Sequence, residues 1–269
     1  MSTSKILYIN QEITPYLTET PLSVNCRQLP QAIQEKGKEI RTFMPKFGNI
    51  NERRNQLHEV IRLSGMNLII NDTDHPLIIK VASIQAARMQ VYFIDNEDYF
   101  KRRSTTVDSK GHEHKDNDER SIFFVRGVLE TIKKLLWMPD VIDCHGWMGA
   151  LTGLYIKTSY ADDPLFKDSK VVYSLYNDDF QNPFPEDFAQ KLMHNNITKN
   201  HLKNIEGKAI DYVTLQKFAI DNADAIMQCE ENINPEVLEY AKASGKKFLP
   251  YQGPLTDAID AINDFYDNI

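Results

Sequence analysis

His145-Gly-Trp-Met148 sets an imidazole two residues from an indole. The indole face can stack on an apolar surface and the imidazole can donate or accept, a pair that suits a sugar or a nucleobase. The plainer use of such a pair is packing, with a buried Trp on a sheet and a hydrogen-bonded His beside it. Tyr176-Asn-Asp-Asp-Phe180 adds an amide and two carboxylates that can hold hydroxyl groups or a cation, or else cap a helix. His112-Glu-His114 alternates like a metal patch, but the stretch around it, Ser104–Asn117, has the polar, charged composition of a solvated loop. Cys144 and His145 are neighbours, so on a strand their side chains point to opposite faces and form no Cys/His pair. No Ser/His/Asp set can be assembled. The segment Asn10–Leu22 contains no glycine, so neither G-x-G-x-x-G nor a Walker loop follows the first strand. No metal site and no cofactor is expected.

Elements must carry these residues to one place. Lys5–Ile9 is a β-rich run, followed by a turn at Thr14-Pro15 and a helix from about Leu22 to Lys36, with Gly37 at its C-terminal cap. Ile40–Met44 completes a βαβ opening, the start of a parallel sheet covered on both faces. Glu59–Leu63, Asn67–Ile70, Leu77–Ser83 and Gln90–Ile94 are short strands with turns between them, an inserted antiparallel patch. From Asp116 a helix follows, its apolar stripe running through Ile122, Val125, Leu129, Ile132 and Leu136, with Asp116 and Asp118 at its N-terminal end. Alternation then returns: strands at Asp140–Cys144, Val171–Leu175, Ala225–Gln228 and Lys247–Leu249, and helices at Gly149–Thr158, Asp211–Asn222 and Pro235–Ala243. Leu255, Ile259, Ile262 and Tyr266 form the stripe of a terminal helix, about 254–268, expected to pack back on the sheet. In such sheets ligands gather beyond the carboxyl ends of the strands, where Thr14–Leu22, His145 with Trp147, and Tyr176–Asp179 converge.

The 269 residues suffice to bury a core without staples, and 42% hydrophobic with 26% charged content is ordinary for a globular protein. A net charge of −7 argues against a nucleic-acid partner. Cys26, Cys144 and Cys229 are sparse and lack CxxC spacing, which fits reduced thiols and a cytoplasmic protein. No apolar run approaches the ~18 residues of a membrane span, so no membrane association is expected. One domain, 1–269, is the expectation: α/β, Rossmann-like, with a mostly parallel central sheet and the inserted antiparallel patch.

The order of motifs resembles the N-terminal, starch synthase catalytic-type domain of glycogen and starch synthases, glucosyltransferases of GT-B fold that use ADP-glucose or UDP-glucose. Lys5–Tyr16 is similar to their opening strand, Leu29–Ile33 to their first helix and Phe43–Lys46 to their second strand. Val91–Glu97 with Tyr99–Lys101, Asp118–Phe124, Lys133–Leu136 and Pro139–Ile142 continue in register. His145-Gly-Trp147 falls on the family's H-D-W-H motif and Ala223-Asp-Ala225 on its A-D-x-[IV] strand. The departures fall on chemistry. Thr18-Glu-Thr-Pro-Leu22 stands at the K-T-G-G-L loop, so the cation and both glycines are replaced and Glu19 adds a negative charge. Gly146 and Met148 replace the Asp and second His of H-D-W-H, and Tyr176 replaces the His of V-H-N. The charged stretch Ser104–Asn117 replaces a glycine-rich loop.

The resemblance implies one half of a GT-B architecture. In the family the other half supplies an Arg/Lys pair and a Glu, and the residues after Asn222 are too few to hold it. Stabilising a departing nucleotide rests on preorganised positive charge. The expectation is therefore a domain that does not transfer glucose on its own and binds a sugar, nucleotide or nucleotide-sugar ligand, or a protein partner. Thr18, His145, Trp147, Tyr176 and Asn177 are the candidate ligand-binding residues, and none is assigned as catalytic. The alternatives are a glucosyltransferase completed by a separate second domain, and a structural or regulatory protein whose former cleft is an interface, with a homo-oligomer as one form.

Overall fold

The computed structural model describes residues 4–269. The chain opens with β1 (Lys5–Asn10), α1 (Pro21–Glu35) and β2 (Glu39–Pro45). Along β1 the apolar residues alternate between two cores. Leu7 and Ile9 join the large cluster on one face, while Ile6 and Tyr8 join a second cluster on the other. A strand buried on both faces needs an unbroken apolar run, and β1 has one.

The helix α1 starts where it does because of its cap. Thr20 Oγ1 accepts from the Ser23 backbone N–H at 3.0 Å, Ser23 Oγ accepts from the Thr20 N–H at 2.8 Å, and Pro21 occupies the first turn. Gly37, with φ at +93°, ends the helix and turns the chain into β2.

The middle segment holds β3 (His58–Glu59), β4 (Met66–Ile70), β5 (Thr73–Ile84) and β6 (Met89–Asp95). Here β6 runs parallel to β2, whereas β5 is antiparallel to β6, β4 and β3. The strand expected over Glu59–Leu63 is shorter: β3 ends at Glu59, and Ile61–Leu63 is a turn whose Ile61 is exposed. A one-turn α2 (Glu97–Phe100) follows, which four residues cannot announce by periodicity.

α3 (Asn117–Leu135) is buried along most of its circumference rather than on one stripe. Leu136 is not part of that surface: it is the left-handed C-cap, with φ at 51°, and it is exposed. Asp116 precedes the helix without capping it, because its carboxylate receives Arg102 at 2.7 and 3.0 Å.

The remaining elements are β7 (Val141–His145), α4 (Thr152–Lys157), β8 (Lys170–Leu175), α5 (Phe188–Leu192), α6 (Lys199–Leu202), α7 (Tyr212–Asn222), β9 (Ala225–Gln228), α8 (Pro235–Ala243), β10 (Lys247–Leu249) and α9 (Leu255–Asp267). The helix expected from Gly149 begins only at Thr152, since Trp147–Gly149 forms a 3-10 turn. The sheet order is β10-β9-β8-β7-β1-β2-β6-β5-β3, parallel from β10 to β6. It is a mostly parallel Rossmann-like sheet extended by the antiparallel patch. α9 packs beside α1 on one face, its Ala258, Ile262, Phe265 and Tyr266 buried with Leu29 and Ile33 of α1 over Ile6, Val141 and Val172. No helix among the described residues is long and apolar enough to cross a membrane.

Candidate ligand-binding site

The carboxyl ends of β1, β7 and β8 meet at a turn built by His145, Gly146 and Trp147. Gly146 holds φ at +88°, and a Cβ there would lie 2.7 Å from Gln11 Cβ, so only glycine fits. Gln11 pins the turn from the other side: its N–H donates to the His145 carbonyl at 3.0 Å, and its Oε1 accepts from Met148 N–H at 3.1 Å.

Beneath this turn lies a buried polar network. His145 is fully buried; its Nδ1 is 2.7 Å from Tyr176 Oη, and its Nε2 stands 3.0 Å from Asp143 Oδ2. Asp143, also fully buried, accepts from Ser174 Oγ at 2.7 Å and from Tyr266 Oη at 2.5 Å. Period-2 alternation explains the grouping: Asp143 and His145 share one face of β7, and Cys144 points to the other. Burial and the Asp143 carboxylate push the Tyr266 and Tyr8 hydroxyls well above their ordinary range, so both stay protonated, and Tyr266 donates to Asp143. Burial likewise raises the Cys229 thiol to about 12, which favours the protonated form.

Above the turn lies a cleft of about 350 Å3, lined by Glu12, Thr20, Trp147, Asn177, Asp178 and Glu230 among others. Asp178 accepts from Tyr212 Oη at 2.6 Å and from the Trp147 N–H at 2.7 Å, and burial pushes its carboxyl up to about 7. Burial also raises Glu12 and Glu230. Glu12 accepts from Thr20 Oγ1 at 3.1 Å and Glu230 from the Asn177 N–H at 3.3 Å. Among the described residues, no Lys, Arg or His lines this cleft.

The five sequence candidates separate here. Asn177 is exposed and lines the cleft. Trp147 borders it, but the residue is only 2% exposed and its ring packs edge-on against Phe180 and Phe184, with no free face for stacking. Tyr176 and His145 lie under the floor, bonded to each other. Thr18 is exposed but lies outside the cleft lining; Thr20, the α1 cap, takes its place.

The loop Ser104–Asn117 reaches the rim. Asn117 Nδ2 donates to the Thr106 carbonyl at 2.9 Å, and Glu113 receives the N–H groups of Gln181 and Asn182, both at 2.7 Å. His112 is exposed, while His114 is half-buried with Nε2 2.7 Å from Ser104 Oγ. The pattern reading also misses Arg120, fully buried between the rings of Phe47 and Phe100 and bonded to the Thr105 carbonyl at 3.0 Å.

A parallel sheet with helices on both faces and its cleft at the carboxyl edge defines a Rossmann-like half of the GT-B glycosyltransferase architecture. Residues 5–249 match the starch synthase catalytic domain family. The glycogen synthase of Chlorobium chlorochromatii is 33% identical over 265 residues, 96% of this chain and 53% of that protein. That of Pelodictyon phaeoclathratiforme is 36% identical over 224 residues, 82% of this chain and 45% of its own length. The catalytic domain of starch synthase IV from Arabidopsis thaliana, solved with ADP and acarbose, superposes with a TM-score of 0.73 at 18% identity, covering 93% of this chain and 51% of that one. The chain belongs to the starch synthase catalytic domain family, and it spans about half the length of the glycogen synthases it matches.

Proposed function

We propose that this glycogen synthase-like domain binds an uncharged glucan in the cleft over β1, β7 and β8, and does not itself transfer glucose from a nucleotide donor. The observation that carries this reading is the charge of the cleft: Glu12, Asp178, Asp179 and Glu230 line it, with no cationic side chain beside them among the described residues. Carboxylates and the Asn177 amide accept hydrogen bonds from sugar hydroxyls, whereas a diphosphate placed there meets like charge. Phosphate binding at a helix N-terminus needs exposed N–H groups, and at α1 Thr20 and Pro21 occupy that position. Departure of a nucleotide diphosphate needs preorganised positive charge, and this wall supplies none.

The test is titration calorimetry with maltoheptaose and with ADP-glucose at pH 7.5, beside an assay for labelled glucose incorporated into glycogen. Maltoheptaose is expected to bind, ADP-glucose to give no heat, and incorporation to match a no-protein control. Binding of ADP-glucose in preference to the glucan, or incorporation above that control, overturns the reading.

A further inference from the structure

The loop Ser104–Asn117 forms one wall of the cleft, through Thr106, Val107, Glu113 and Asn117. The connection after β8 forms the facing wall, through Asn177, Asp178, Asp179 and Phe180. The loop is a short hairpin. Val107 and Glu113 form an antiparallel bridge, the Asp108 N–H donates to the His112 carbonyl at 2.8 Å, and Gly111 turns the exposed tip with φ at +84°.

Its base and its outer strand are held by different means. The base is fixed in the interior: Arg120, fully buried, donates to the Thr105 carbonyl at 3.0 Å, and Asn117 Nδ2 donates to the Thr106 carbonyl at 2.9 Å. Arg102 pairs with Asp116 at 2.7 and 3.0 Å. Gly48 lies so close behind Arg102 that a Cβ there would be 2.0 Å from the Arg102 carbonyl oxygen. Crossing to the facing wall is left to one side chain. Glu113 Oε1 accepts from the Gln181 N–H and Oε2 from the Asn182 N–H, both at 2.7 Å. Among the described residues no other hydrogen bond or ion pair joins the loop to that wall.

A carboxylate that accepts two successive backbone N–H groups makes two charge-assisted bonds at once. Both donors belong to exposed residues, so water takes over when the carboxylate leaves and no buried group is stranded. Glu113 also joins an acidic rim, with Glu12, Asp178, Asp179 and Glu230 lining the same cleft, so like charge opposes the closed position. At the base the balance is reversed. Freeing Arg120 or Asn117, 0% and 4% exposed, would leave buried polar groups unpaired. Local opening follows the break that costs least, and here that is the Glu113 contact.

We infer that Ser104–Asn117 is a hinged strap across the cleft, latched by Glu113 on the Gln181 and Asn182 N–H groups and opening about its fixed base to admit a ligand. The latch stands whatever fills the cleft; its gating of a sugar rests on the glucan reading, and separate measurements test the two. Amide hydrogen exchange is followed by NMR in the wild-type chain and in Glu113→Ala, with melting temperatures recorded alongside. In the variant the Gln181 and Asn182 amides are expected to exchange roughly tenfold faster, the change that loss of a bond to a charged group produces. The His114 and Asn117 amides, which donate to the Thr106 and His114 carbonyls, are expected to keep their wild-type rates, and the melting temperature to stay unchanged. Unchanged exchange at Gln181 and Asn182 overturns the latch. Equal acceleration at His114 and Asn117 overturns the hinge, because the loop then unfolds as a whole. Stopped-flow mixing with maltoheptaose reads the gate: association is expected to be about threefold faster or more in Glu113→Ala, and an equal rate overturns the gating. If maltoheptaose does not bind, the glucan reading and the gating both fall, while the exchange rates still decide the latch.

Discussion

Two polar clusters stand one layer apart at the same edge of this sheet and live by opposite rules. Under the His145 turn, Asp143, His145, Tyr176 and Tyr266 are all buried and bonded to one another. Above it, Glu12, Asp178, Asn177 and Glu230 face a cleft. The lower cluster has given most of its hydrogen-bonding capacity to the fold, and the upper one keeps some facing the open cleft. Each contains a carboxylate with a raised-pKa neighbour or a raised pKa of its own, Asp143 below and Asp178 above, and burial and bonding partners set the two clusters apart. Stability should therefore answer to the lower set and binding to the upper.

The largest effect is expected from deleting α9 by ending the chain at Pro250. Ile262, Phe265 and Tyr266 leave the core, each worth about 1.5–3 kcal/mol of burial. Insoluble or non-cooperatively melting protein is the expected result in calorimetry, and an unchanged melting temperature would show that the helix contributes nothing.

Asp143→Ala comes next. It strips the acceptor from Tyr266 and Ser174 and leaves His145 buried without its carboxylate. Breaking a buried pair costs about 3–5 kcal/mol, so the melting temperature should drop by roughly 10 °C. Tyr266→Phe removes a single hydroxyl and keeps the ring, and a fall of about 5 °C is expected, chiefly from the lost bond to the Asp143 carboxylate. A Tyr266→Phe variant as stable as the wild type would show that packing alone holds α9.

On the rim, Asp178 sharpens the contrast through pH. Its folded carboxyl titrates near 7, well above the ordinary value of 3.8, so between about pH 4 and 7 the folded chain holds a proton that the unfolded chain has released. Stability from this group is full below that window and is lost as pH rises through it. The melting temperature should fall by a few degrees from pH 5 to pH 8, and the fall should shrink in Asp178→Asn. Buffers of matched ionic strength and differential scanning calorimetry suffice, and a slope identical in the two proteins counts against this assignment. The smallest stability effect belongs to Asn177→Ala, an exposed residue: melting should stay within about 1 °C while maltoheptaose binding is lost.

Much of the frame could be read from residues alone, because strands buried on both faces carry continuous apolar runs. β9, α8 and β10 coincide with the runs Ala225–Gln228, Pro235–Ala243 and Lys247–Leu249. What escaped was short or distant. α2, α5 and α6 have four or five residues, too few to show a period. Trp147 invites a stacking role until Phe180 and Phe184, brought back from the far side of β8, close over its ring. Tyr266 reads as one more apolar stripe residue, and only the fold places its hydroxyl on a buried carboxylate. The acidic rim gathers Glu12, Asp178 and Glu230 from three separate connections, which no spacing rule unites.

The Gly146 turn bears on which side chains this loop can accept. The H-D-W-H motif that this segment resembles has Asp at that step, and here the backbone sits at φ +88° with Gln11 against the missing Cβ. Restoring the carboxylate by one substitution would meet both a left-handed backbone and the side chain that pins the turn. Gln11 has to yield first, and its loss alone frees the Met148 N–H and loosens the loop. A carboxylate therefore enters this turn only together with a change at Gln11.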